Sequence, residues 1–224
     1  LVVAAHPDDE VLGCGGTIAR LSAAGARVHI VLMADGESSR LRSHQGQSVS
    51  EQITARAAAA DAACTVLGGA SVDVLSLPDN RMDETSLLDV VQLIEGFVGR
   101  YQPRAVLTHH SGDVNIDHRV VHDAVVAACR PVPNHCVKEL LFFEIPSSTE
   151  WRPPASAQPF TPNCFVDISA TLEKKLEALQ VYASELREFP HPRSLQAVEA
   201  LAKWRGATVG VTAGEAFVLG RRLY

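Results

Sequence analysis

The chain has 224 residues, 46% hydrophobic and 21% charged, with a formal net charge of −6, the balance of one soluble globular domain spanning 1–224 with a full-sized core. The acidic balance argues against nucleic acid or an anionic membrane as main partner, and no apolar run approaches the roughly 18–20 residues of a membrane span. The five cysteines, Cys14, Cys64, Cys129, Cys136 and Cys164, are odd in number, widely spaced and without a C-x-x-C pair. That usage argues against a disulfide framework or a cysteine zinc site, and points to buried thiols in a reducing, cytoplasmic setting.

In chain order, residues 1–5 read as a buried strand; no signal-peptide pattern is present, and a chain opening on a core strand predicts a few native residues before Leu1. Residues 10–24 read as a helix ending at Gly25, and 28–34 as a second strand. Ser50 is placed as N-cap of an Ala-rich helix over 51–67 that stops at Gly68-Gly69. A short strand at 72–75 precedes a helix over 86–101, with Pro103 beyond its end. A strand at 105–108 is followed by a helix over 118–129, ended by Pro131 and Pro133. Residues 138–145 and 164–168 read as strands, and Ser169 as cap of a helix over 171–182. A helix over 195–205 and a short strand at 216–219 close the chain. The alternation predicts an α/β domain with a mostly parallel sheet. Of the three longest loops, 35–50, 109–117 and 146–162, the first two follow strand ends, where such sheets build their sites.

Two such turns carry chemistry. The first is His6-Pro7-Asp8-Asp9-Glu10. Proline and acids suit a first helical turn, but that leaves His6 unexplained, as well as Gly13, Gly15 and Gly16 within the next helix. A helix-interior glycine costs roughly 1 kcal/mol relative to alanine, so close backbone packing or ligand approach is expected there. The spacing is not G-x-G-x-x-G and the preceding motif is acidic, which argues against a pyrophosphate site. The second turn is Gly112-Asp113-Val114-Asn115-Ile116-Asp117-His118. On one edge of a parallel sheet the two turns can meet, making His6, Asp9 and His118 a two-His, one-carboxylate triad with an open position, the pattern of catalytic zinc. Asp8 points elsewhere than Asp9 and is left as general base.

The first motif, followed by Gly13 and Gly15-Gly16-Thr17, resembles the signature of the PIG-L/LmbE-like deacetylase family. Asn115-Ile116-Asp117-His118 stands where that family carries H-x-D-H or H-P-D-H. The resemblance implies a Rossmann-like three-layer sandwich, one zinc ion per chain (another divalent metal suits the same donors) and hydrolysis of an N-acetyl group on an N-acetylglucosamine-type or related small molecule. It matches His6, Asp9 and His118 to the metal ligands and Asp8 to the base. Position 115 departs from it: the family's histidine there is credited with the oxyanion or the leaving amine, and asparagine can donate a hydrogen bond but not a proton.

His110, at its strand end, is the first candidate for that role, with Asn115 as oxyanion donor; His109 should face the other way. His122 reads as structural, and His29, His44 and His135 receive no role. His191, in the loop Pro190-His191-Pro192-Arg193-Ser194, is a substrate-site candidate because similar segments occur in the family. Arg56 is another, since related deacetylases use an arginine in this helix. Arg40 and Arg42 lie in loop 35–50 within reach of an anionic group. Asp117 is expected to orient His118 or another histidine, and Asp35-Gly36-Glu37 to form a rim turn. The rival readings are another amide or ester hydrolase at the same metal, or a metal-binding homologue without catalysis. A homo-oligomer is compatible with the sequence.

Overall fold

The computed structural model describes residues 1–37 and 48–224. Arg40, Arg42 and His44 lie outside the described residues. Among the described residues, seven strands form one sheet: β1 (Val2–Ala4), β2 (His29–Ala34), β3 (Ser71–Leu77), β4 (Ala105–His109), β5 (Glu139–Phe143), β6 (Cys164–Asp167) and β7 (Gly214–Arg222). Their order is β3-β2-β1-β4-β5-β7-β6. Pairs among the first five are parallel, and β7 runs antiparallel between β5 and β6. The helices are α1 (Asp9–Ala23), α2 (Val49–Leu67), α3 (Leu87–Tyr101), α4 (Ile116–Ala128), α5 (Leu172–Val181) and α6 (Leu195–Ala207).

Strand alternation divides the core. Val2, Ala4, Ile30, Leu32, Leu141 and Phe143 pack with residues of α1, α2 and α5. Leu1, Val3, Ala5, Val31, Met33, Leu140 and Phe142 pack with α3 and α4 on the other face. This is the expected Rossmann-like three-layer sandwich. The strand order reverses direction between β1 and β4, so the crevice beyond their C-terminal ends is the topological switch point where open α/β sheets bind ligands.

Several boundaries move. Ser48, not Ser50, caps α2: its hydroxyl accepts from Glu51 N at 3.3 Å while the Glu51 carboxylate accepts from Ser48 N at 2.8 Å, a reciprocal capping box. Ser169 is not the cap of α5; its hydroxyl donates to Asp167, and Thr171 occupies the cap position. β7 is far longer than the short strand expected, because it is paired on both sides.

The glycines of α1 do sit at close approaches. A Cβ on Gly13 would lie 2.4 Å from Phe143 Cδ2, and one on Gly16 2.7 Å from Ile168 Cδ1. Between them Cys14 leaves helical geometry, at φ −151° and ψ 24°. The backbone groups freed at this kink are met from afar. Lys175 Nζ donates to Leu12 O at 2.9 Å, and the Glu215 carboxylate accepts from Gly16 N at 2.9 Å and Thr17 N at 2.7 Å.

Candidate active site

The turn after β1 brings His6, Asp8 and Asp9 to the switch point. Asp8 holds φ 119°, a region side chains rarely adopt, and such strain gathers at functional sites. Its backbone N–H donates to Glu10 Oε2 at 3.0 Å, and the Tyr182 hydroxyl holds the other Glu10 oxygen at 2.6 Å. Burial pushes the Glu10 carboxyl up to about 7, against the Tyr182 hydrogen bond. His6 N donates to Asp9 Oδ2 at 2.9 Å, which aims Asp9 across the turn.

The turn after β4 supplies the other half. Asn115 caps α4, its Oδ1 accepting from Asp117 N at 2.8 Å, and its Nδ2 donates to Asn80 Oδ1 at 3.2 Å. His118, in the first turn of α4, points its Nε2 to within 3.2 Å of Asp9 Oδ2, and His6 Nδ1 lies 3.2 Å from the same oxygen. One ligand atom from each of His6, Asp9 and His118 falls within 4.8 Å of the others. Asp9 Oδ1 and His118 Nε2 are buried without a hydrogen-bond partner. Buried polar atoms are normally paired, so these two, on residues that gather with His6 within ligating distance, fit a cation held by the three residues.

Carboxylates brace both rings from behind. Asp117 Oδ2 lies 2.9 Å and Asp79 Oδ1 3.2 Å from His6 Nε2, while Asp113 Oδ2 lies 3.1 Å from His118 Nδ1. Asp117 is itself fixed by the N–H groups of Asn80 and Met82, at 2.7 and 2.9 Å. Asp113 is fixed by Ser148 and Thr149. A carboxylate behind a ligating imidazole sets its orientation and raises its basicity. His6, Asp79 and Asp117 also fall within ligating distance of one another, but the orphaned atoms belong to the first set. Burial opposes charge on His118, yet Asp9 and Asp113 outweigh it and push the ring up to about 9. His6 is likewise raised, against burial, by Asp117, Asp79 and Asp9. The cluster attracts positive charge.

Asp8 faces a cavity of about 180 Å³. Apart from Pro7 and Gly36, its lining is polar or charged: His6, Asp8, Asp79, Asn80, Asn115, Arg56, Glu185 and Arg193. Burial pushes the Asp8 carboxyl up to about 6, with Arg193 opposing the rise. Arg56 is buried and donates to Glu37 Oε1, through Nη2 at 2.6 Å, and to Glu185.

The structure therefore gathers His6, Asp8, Asp9, Asn115, Asp117, His118 and Arg56. Asp117 orients His6; Asp113 takes the place behind His118. The expectation for His110 is corrected. β4 stays in register with β5 through His109 and Phe143, and it is His109 that points under the site, stacked on His118 with ring centroids 4.0 Å apart. His109 Nε2 accepts the Ala5 N–H at 2.8 Å. His110 turns instead to Gln158 O, at 3.1 Å, and to Phe160. His191 does not line the cavity; it sits edge-on to Trp151, and its Nδ1 accepts from Arg193 N at 3.1 Å. Arg193 reaches Asp8 in its place, a residue that the sequence reading passed over along with Asp79, Asp113 and Glu185. Asp79 carried a signal: Pro78-Asp79-Asn80 follows β3 on the same sheet edge as the two motifs.

A Rossmann-like sheet brings two histidines and an aspartate to its switch point, beside a buried carboxylate in a polar cavity, a donor set that could hold a metal ion and suits metal-assisted hydrolysis. The family described as PIG-L, GlcNAc-PI de-N-acetylase, matches residues 1–129, and the chain belongs to that family. It is 30% identical over 153 residues to the uncharacterized deacetylase YaiS of Escherichia coli K12, covering 66% of this chain and 74% of that one. It is also 30% identical over 202 residues to a 4-oxalmesaconate hydratase of Pseudomonas putida, covering 83% and 73%. The structure of N,N'-diacetylchitobiose deacetylase from Pyrococcus horikoshii superposes with a TM-score of 0.79 at 22% identity, covering 98% of this chain and 82% of that one.

Proposed function

We propose that the protein is a zinc-dependent N-deacetylase that hydrolyses the N-acetyl group of an N-acetylglucosamine-type or related small molecule. The observation that carries this is the meeting of His6, Asp9 and His118, with orphaned buried ligand atoms, beside Asp8 in a polar cavity. Zinc held by these three residues would supply Lewis acidity and acidify a water. Asp8 takes one proton from the attacking water as its oxygen bonds to the amide carbon, and the carbonyl π pair moves onto oxygen. As that pair returns, the C–N bond breaks and Asp8 gives its proton to the departing nitrogen, leaving acetate and a free amine. Asn115, capping α4, carries no transferable proton, so one carboxylate serves in both directions. The polar lining suits sugar hydroxyls and disfavours a long acyl chain.

The test is acetate release from N-acetylglucosamine, its glycosides and N-acetylated sugar conjugates by zinc-loaded protein. Acetate and amine in equal amounts support the reading; no release across the panel refutes it. A second reading rests on the hydratase relative: the same base and water would add across an activated C=C bond of an unsaturated carboxylate. Loss of the substrate's conjugated ultraviolet absorbance, without acetate, would favour it.

A further inference from the structure

Position 115 holds no cationic side chain, and neither His110 nor His191 lines the cavity. The charged donor beside the base is Arg193. Its Nη1 donates to Asp8 Oδ2 at 2.9 Å and lies 3.8 Å from Glu185 Oε2. Its Nε donates to Ser147 Oγ at 2.8 Å, and its own backbone N–H is held by His191 Nδ1. The side chain retains 22% exposure and lines the cavity. Nη2 forms no hydrogen bond with the described residues, so one arm of the fork remains for a ligand. Arg56 commits its Nε and Nη2 in the same way, to Glu37 and Glu185, but its side chain keeps only 4% exposure. A guanidinium fixed at two points with one edge open is a pre-organised donor for an anionic oxygen, and it does not deprotonate in the working range.

We propose that Arg193 is a catalytic residue: its Nη2 edge donates to the substrate oxygen that becomes negative beside Asp8, filling the stabilising role for which Asn115 has no charge. The assignment rests on the deacetylase reading for the identity of that oxygen, the former acetyl carbonyl. Asp8 performs the proton transfers and Arg193 holds the charge. Its loop, between α5 and α6, is tied to the loop after β5 through Ser147, and the same loop fixes Asp113 through Ser148 and Thr149. The donor and the brace of His118 are therefore positioned together.

The probe is methylphosphonate, a tetrahedral anion shaped like the hydrated acetyl group, titrated calorimetrically into zinc-loaded protein. Removing an oxyanion donor typically lowers kcat about 10²–10³-fold. R193A should lose acetate-release kcat on that scale with KM and zinc content near wild type, and should bind methylphosphonate at least about 10-fold more weakly. Added guanidinium should restore part of both. R193K, which keeps the charge without the planar fork, should remain impaired, and it carries the test if R193A does not fold. A purely positioning role through Asp8 is separated by comparing D8N with D8N/R193A: the double variant should still bind methylphosphonate more weakly than D8N. Equal binding by those two, or arginine variants within about 3-fold of wild type in kcat and affinity, would overturn the assignment. If wild type releases no acetate but the methylphosphonate loss holds, the deacetylase reading fails and Arg193 remains the anion donor of this site.

Discussion

Glu215→Ala tests the idea that α1 is held in its kinked form from the far side of the domain. Glu215 and Lys175 are each 4% exposed, and Lys175 Nζ lies 2.6 Å from Glu215 Oε1. The same carboxylate accepts the Gly16 and Thr17 N–H groups, while Lys175 takes Leu12 O. Removing one partner of a buried ion pair costs about 3–5 kcal/mol. An orphaned buried N–H adds about 1–3 kcal/mol. These losses share one site and do not add in full, so about 4–6 kcal/mol is expected. For a chain of this size that corresponds to a fall in Tm of roughly 10–20 °C. Urea denaturation measures the difference directly, through the midpoint at unchanged slope. Glu215→Gln keeps one side-chain oxygen for the backbone and should lose less. The double variant Lys175→Met/Glu215→Gln, without a stranded ammonium, should be more stable than Glu215→Gln alone. A loss below about 1 kcal/mol for Glu215→Ala would refute the reasoning, because no buried pair with three further backbone ties should be that dispensable. A double variant no better than the single would show that the ammonium is not stranded.

Other expectations concern the site. His118→Ala should lose most of its zinc, since one of three ligands is gone; wild-type zinc by elemental analysis would remove His118 from the ligand set. Asp8→Asn should keep its zinc and lose about 10²–10⁴-fold in acetate release, the usual range for a general base. Zinc loss in that variant would mean that Asp8 ligates. His110→Ala should stay within a few-fold of wild type, as its ring is committed to Gln158 and Phe160; a fall of about 100-fold would return the acid role to it.

Much of this site was legible because strand ends in a parallel sheet share one edge. His6-Pro7-Asp8-Asp9 and Asn115-Ile116-Asp117-His118 could be joined on that ground alone, and the glycines of α1 did announce close packing, against Phe143 and Ile168. Two of the differences, the phase of β4 and the length of β7, share a physical origin. Alternation along β4 was the right rule, but its phase is set by pairing with β5, and that register carries the strand through His109. A single sequence shows the period of a strand without showing where its partner lets go. The length of β7 was hidden for the same reason, since its ends are strand only through their partners. Arg193 was hidden differently. Nothing local in Pro190-His191-Pro192-Arg193-Ser194 distinguishes the histidine from the arginine as the residue that enters a cavity. The choice is made by long-range contacts, Ser147 at Nε and Asp8 at Nη1, with His191 turned back to hold the Arg193 backbone and rest against Trp151. A histidine in such a loop draws the eye as a proton carrier, yet a site with one carboxylate able to move the proton both ways has more use for a fixed positive charge. On the proposal made for Arg193, asparagine at position 115 and arginine at position 193 are two parts of one arrangement. Introducing Asn115→His should then rescue R193A in part while adding little to wild type.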